Sequence, residues 1–141
     1  MHSVVFLDKH GLNCVIQKLG KSLNTQRYVD TFWSSPDGSE QDKYVRIRNR
    51  DGKFYLEDGS LVDTFYPAEV EGMVSMGSLR ITELRYQHDI VVKIIQQTNQ
   101  SSGTDSGSMY ILESKSSCHE LLKGTHHMRA TKSAYDFLLG R

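Results

Sequence analysis

Arg46, Arg48 and Arg50 alternate along the segment YVRIRNRDGKFYLE, and Lys53 follows just beyond Asp51-Gly52. In an extended strand alternate side chains point the same way, at intervals of about 7 Å. Asp-Gly is a two-residue hairpin signal. That turn sets Arg50 opposite Lys53, Arg48 opposite Tyr55 and Ile47 opposite Leu56. A row of guanidinium groups suits phosphate oxygens, which accept paired, charge-assisted hydrogen bonds from each fork. The expected ligand-binding set is therefore Arg46, Arg48, Arg50, Lys53 and Tyr55, and the expected partner is a phosphorylated small molecule, either a nucleotide or a polyphosphate. A solvated outer face, balanced by Glu57 and other carboxylates, is the competing reading.

Other residues invite other chemistry. Glu69 and Glu71 flank Val70; on a strand they would point the same way and could share a hard divalent cation. Pro67 and Gly72 favour a solvated loop there instead. His10 and Cys14 stand four apart on an expected helix, the spacing of a base and a nucleophile. Cys118-His119 and His126-His127 fit none of the tight zinc-ligand spacings. Tyr28, Trp33, Tyr55 and Tyr66 could stack on bases or grip a protein partner, with packing in the sheet as the alternative. The chain has no glycine-rich phosphate loop, nucleophile elbow or CxxC pair.

The elements that must position these groups follow from periodicity. Residues 4–7 read as a strand. Asp8 caps a helix to about Leu19, whose Leu12, Val15, Ile16 and Leu19 form one apolar stripe, and Gly20 stops it. Residues 26–33 read as a strand, and Ser34 to Gly38 as a turn. Residues 44–66 read as a meander with turns at Asp51-Gly52 and Asp58-Gly59. The second turn is expected to set Leu56 opposite Leu61, giving an apolar face of Ile47, Phe54, Leu56, Leu61 and Phe65. Strands are expected over 78–86, 89–95 and 109–112, and a mobile polar loop over about 96–108. Ser117-x-x-Glu120 reads as a capping box opening a helix over 118–123. A last helix is expected over 131–139. Val29-Asp30-Thr31-Phe32 returns as Val62-Asp63-Thr64-Phe65, each followed by an apolar-Arg-Ile triplet, which suggests two similar β-units in one sheet. The fold class is α+β: one domain over 1–141, built on an antiparallel curved sheet or barrel with two or three helices packed outside.

The stretch LGKSLNTQRYVDTFWSSPDGSEQDKYVRIRNRDGKFYLE resembles the CYTH, or triphosphate tunnel, superfamily, over about residues 14–57. That family includes class IV adenylyl cyclases, thiamine triphosphatases and inorganic tripolyphosphatases. Its order of motifs is a helix ending near LG, a strand and turn of the form Q-x-D-x-Y/F with Pro-Asp, an LRIR strand, a DG turn and a further strand. Here these places are taken by Gln26 to Phe32 with Pro36-Asp37, by Val45 to Arg48, and by Lys53 to Glu57. The resemblance implies an antiparallel barrel in which Arg46 and Arg48 hold triphosphate oxygens, while the Ile47 and Leu56 face meets the helices. It also implies a first strand with Glu-x-Glu-x-Lys, whose carboxylates hold the catalytic cation. This chain reads Ser3-Val4-Val5-Phe6-Leu7 there, and Glu57-Asp58-Gly59 where the family carries a lysine. Glu69 and Glu71 could replace the missing pair, and Lys93 could stand as a second-half tunnel lysine or lie at the edge of its strand.

The bulk numbers bound these readings. With 141 residues, 38% hydrophobic, 24% charged and a formal net charge of zero, the chain can bury a core but lacks the basic excess that general nucleic-acid affinity needs. Two cysteines make no disulfide framework. The longest apolar run, residues 90–95, is broken by Lys93, so no membrane span is expected, and a cytoplasmic, intracellular location is. Three functions remain. One is phosphate-ligand binding on the arginine face, without the family's chemistry and without a cofactor. The second is a divergent hydrolase using Mg2+ or Mn2+ at Glu69 and Glu71. The third is a viral or regulatory protein-interaction module.

Overall fold

The computed structural model describes residues 3–37, 43–98 and 107–141. Among these described residues, nine antiparallel strands and three α-helices make the α+β class expected from the sequence. The strands hydrogen-bond in the order β5-β4-β3-β2-β6-β7-β8-β1-β9. The chain divides into two compact units, taken in turn. The first gathers the described residues of Met1–Gln26, Thr82–Gln96 and Thr104–Lys132, and the second those of Arg27–Ile81, Gln97–Gly103 and Ser133–Arg141.

In the first unit, β1 (Ser3–Leu7) leads through Asp8 into α1 (Lys9–Leu19). Asp8 caps that helix by accepting a hydrogen bond from the Gly11 amide at 2.7 Å, which satisfies one of the orphan donors of its first turn. Strand β7 (Ile90–Gln97) pairs with β8 (Ser108–Ser114), and β8 with β1. Leu7, Leu12, Val15, Val92, Tyr110 and Leu112 form the core, joined by Leu122 of α2 (His119–Leu122). The apolar stripe of α1 is thus the face that packs. Lys18 donates to the carbonyls of Leu121 and Lys123, at 3.2 and 2.8 Å, so a cation from α1 satisfies the open end of α2. The capping box expected at Ser117 does not form. Cys118 stands at the N-cap without a side-chain bond, and Ser117 Oγ accepts from the His119 amide at 3.4 Å, one residue out of register with the helix. A short edge strand, β9 (His127–Arg129), pairs with β1 and was not expected.

In the second unit, β2 (Asn24–Ser34) pairs with β3 (Val45–Arg50), and β3 with β4 (Lys53–Tyr55). The first hairpin has the expected register, with Arg48 opposite Tyr55 and Arg50 opposite Lys53. The second does not. Strand β5 (Leu61–Val62) sets Val62 opposite Phe54 and Leu61 opposite Tyr55. The cause is Asp58, whose Oδ1 accepts from both the amide and the hydroxyl of Ser60. With Gly59 at φ +88°, the turn takes three residues rather than two. Leu61 thereby moves to the other face, where it is 59% exposed. The remaining apolar face stands: Ile47 and Trp33 pack with Val70, Phe54, Leu56, Phe65 and Met73. The repeated VDTF segments part company here. The first lies inside β2, while the second leaves β5 after Val62 as a bend, so the repetition does not produce two like units.

Strand β6 (Val74–Tyr86) follows, and near its start Gly77 has φ +125°. A Cβ there would lie 3.2 Å from Leu138 Cδ1, so glycine admits both the backbone angle and the close approach of α3 (Ala134–Leu139). That helix begins at a true capping box, Ser133 with Asp136, three residues later than the expected start. The expected loop over 96–108 falls mostly outside the described residues.

Candidate functional site: an arginine row over a buried carboxylate

Strand pairing builds the site. Asp30 lies opposite Arg48 and Phe32 opposite Arg46. Opposed residues in an antiparallel pair share a face, so Tyr28, Asp30 and Phe32 stand beside the arginine row. Asp30 is 2% exposed. Its carboxylate accepts a two-pronged bond from Arg48, at 2.8 Å from Nε to Oδ1 and 3.0 Å from Nη2 to Oδ2. Arg46 Nε reaches only to 4.0 Å from Oδ2. The Tyr28 ring, itself buried, lies 4.0 Å from the Arg48 guanidinium and 5.3 Å from that of Arg50. Arg50 also lies 5.9 Å from the Tyr55 ring. Side chains of Arg46 and Arg48 are only 18% and 20% exposed, which rules out a fully solvated face. Among the described residues, Arg46 Nε and Arg50 Nε are buried without a hydrogen-bond partner. Lys53 is exposed and Tyr55 half-buried, so they stand at the open end of the row.

A second element bounds this face at the Arg46 end. Tyr135 of α3 stacks on Tyr44 at 4.3 Å between ring centres and lies 5.5 Å from Phe32. The resemblance had the helices on the Ile47 face. In this unit the Ile47 face is covered by the chain from Phe54 to Met73, and α3 packs beside the arginines. Burial pushes the Tyr44 hydroxyl above its ordinary value, helped by the negative charge of Glu57 and opposed by Arg46. The folded state thus favours the neutral phenol. That stabilisation is complete below about pH 10 and is lost as pH rises through the raised value. Tyr44→Phe is expected to flatten part of the alkaline fall in stability, measured by urea denaturation between about pH 8 and 11. Tyr86 and Cys118, both also raised by burial, would contribute to what remains.

The other candidates are placed as follows. Glu69 lies inside a 3-10 turn, Ala68–Val70, with Glu71 at its end, and both are exposed. Pro67 precedes the turn and fixes its entry, so the alternation that would have aimed both carboxylates one way is absent. Lys93 donates to Glu113 at 3.1 Å, with each side chain about a quarter exposed. Cys14 Sγ lies 3.6 Å from His10 Nε2. Trp33 packs in the core, and Tyr66 is 68% exposed while touching Trp33 and Phe65. Asp30 is the residue of this candidate site that the reading of single segments missed. Its signal was there: Tyr28-x-Asp30-x-Phe32 runs antiparallel to Arg46-x-Arg48-x-Arg50.

The divalent ion that the resemblance implies does not fit the residues present. On β1 the positions opposite Glu113 and Ile111 are Val4 and Phe6, and Glu113 already accepts from Lys93. Among the described residues no group of three His, Cys, Asp or Glu side chains is placed to hold a metal. No helix is long and apolar enough to cross a membrane.

No protein-family model matches the chain, and no curated protein matches it in sequence. Solved structures share its fold. A Hippeastrum protein assigned as an adenylyl cyclase, with a dominant triphosphatase activity described for it, has a TM-score of 0.67 at 14% identity, covering 99% of this chain and 95% of its own. A Bacillus halodurans protein assigned as an adenylate cyclase has a TM-score of 0.59 at 13% identity, over 94% and 93%. A Vibrio parahaemolyticus protein with the same assignment has 0.54 at 9% identity, over 98% and 97%. In fold, and over nearly its whole length, the chain resembles the CYTH, or triphosphate tunnel, proteins.

Proposed function

We propose that the protein binds a phosphate-rich ligand, a nucleotide or a polyphosphate, on the arginine row, and that this binding needs no divalent ion. One observation carries the reading: the Nε groups of Arg46 and Arg50 are buried and have no hydrogen-bond partner among the described residues. A buried N–H donor without an acceptor is costly, and a charged donor more so. A phosphate oxygen is an acceptor of the right charge, and two such donors flank Arg48 on one strand face. Arg46 and Arg50 hold ligand oxygens, Arg48 stays in its fork with Asp30 between them, and Lys53 and Tyr55 meet the ligand's outer end. The missing carboxylates on β1 support binding rather than metal-assisted phosphoryl transfer, which needs an ion to offset the developing charge. The fold shared with proteins named for cyclase and triphosphatase activity agrees with a phosphorylated ligand.

Thermal denaturation with tripolyphosphate, in chelator and in excess magnesium, tests this. Stabilisation of a few degrees is expected in chelator, lost in Arg46→Ala. A response that appears only with magnesium, or one that survives Arg46→Ala together with Arg50→Ala, would overturn it.

A further inference from the structure

The arginine row contains its own anion. Asp30 is buried at the middle of the row, forked by Arg48 and within 4.0 Å of Arg46 Nε. Resting on the phosphate-ligand reading above, we propose that Asp30 is a positioning residue and internal counter-anion that limits the affinity of the site for highly charged ligands. The fork leaves Arg48 already satisfied, so the effective charge of the row comes from Arg46 and Arg50 on either side.

Two consequences of Asp30 oppose each other. Holding Arg48 against Tyr28 keeps the strand face that carries Arg46 and Arg50 ordered in advance, which helps any ligand by a similar factor whatever its charge. Repulsion between the carboxylate and a bound anion instead grows with each charge the anion carries. Burial strengthens that repulsion, because little water lies between the charges to screen it. For a single phosphate the two effects are comparable. For tripolyphosphate the repulsion wins. Asp30 therefore sets the dependence of affinity on ligand charge, and keeps polyanion binding exchangeable where an uncompensated row of arginines would hold on.

Calorimetric titration of the full chain with phosphate, pyrophosphate and tripolyphosphate, well below the melting temperature, reads this directly. Asp30→Asn is expected to tighten tripolyphosphate by about tenfold or more, pyrophosphate less and phosphate least. Asp30→Glu keeps the charge and is expected to stay near the wild type. Equal changes for all three anions, or uniformly weaker binding, would make Asp30 merely structural and overturn the proposal. Should Asp30→Asn not fold, the double variant Asp30→Asn/Arg48→Gln removes a pair of zero net charge. Its affinity for tripolyphosphate is expected within about threefold of wild type, and a larger loss overturns the proposal. A wild-type protein silent towards all three anions overturns the functional reading and this one with it; a wild type that binds, with no gain in Asp30→Asn, overturns this one alone.

Discussion

Arg48→Ala is expected to destabilise the protein by about 3–5 kcal/mol, the range for breaking a buried ion pair from one side. Most of that cost belongs to the group left behind. Asp30 is almost wholly buried, and its two oxygens take their short bonds from Arg48. Without the guanidinium, the carboxylate must stay charged in a dry place, take up a proton, or drag water into the sheet. Loss of the Tyr28 contact at 4.0 Å adds a smaller term, since cation–π pairs contribute about 0.5–2 kcal/mol. Arg46→Ala should differ sharply. Its Nε makes only the 4.0 Å approach to Asp30 and no hydrogen bond among the described residues, so its removal should cost roughly 1 kcal/mol or less. Urea denaturation of the two variants side by side makes the comparison. Similar losses in both would mean that Asp30 is satisfied by something other than the Arg48 fork. Two arginines of the same strand face would thus differ, Arg48 holding the fold and Arg46 left open for the ligand proposed above.

That division was not legible in the sequence, although much around it was. The hairpin over 45–55 could be registered residue by residue because Asp51-Gly52 fixes a two-residue turn, and a turn fixes everything behind it. The sequence between β2 and β3 also carries an Asp-Gly pair, Asp37-Gly38, but six residues separate it from Val45. The link between Ser34 and Val45 is long, its length does not choose a register, and so Asp30 could not be set opposite Arg48 in advance. The slip at the next hairpin has a local cause. Asp58-Gly59 looks like the same signal as Asp51-Gly52, but Asp58 captures Ser60 and lengthens the turn. Two bonds to one carboxylate oxygen set Leu61 on the surface rather than in the expected core. The two helix caps show the same limit. Ser117-x-x-Glu120 has the right residues one position too early, whereas Ser133 with Asp136 makes the box with the shorter carboxylate. Pattern finds candidates for such bonds; only packing decides which of them form.

The resemblance survived where it rested on backbone order and changed where it rested on side chains. Strand and turn order from Gln26 to Glu57 needs only propensity and turn chemistry, which drift slowly under substitution. Metal ligation needs particular carboxylates, and β1 shows how they can go while the strand stays: Val4 and Phe6 keep the alternation and the pairing with β8 but bring no oxygen. What remains is the strand order, with a row of arginines on one face of β3.

Tyr135→Ala tests whether the arginine face depends on α3. The ring is 2% exposed and meets Tyr44 and Phe32, so truncation should cost about 3–5 kcal/mol, as for other buried aromatic residues. A helix this short cannot hold itself in water. Among its remaining ties are Leu138 against Gly77 and Gln97 donating to the Phe137 carbonyl at 3.3 Å. Once the ring is gone, the end of the chain should fray in hydrogen exchange before the rest of the unit opens. Tyr44 would then lose both its cover and the nearby Asp136 charge, two of the causes that raise its ionisation. Its titration, followed by ultraviolet absorbance, should move down towards the ordinary value. A Tyr135→Ala protein with unchanged stability and an unchanged Tyr44 titration would mean that α3 is held by Leu138 over Gly77, and that Tyr135 only fills space beside the arginine row.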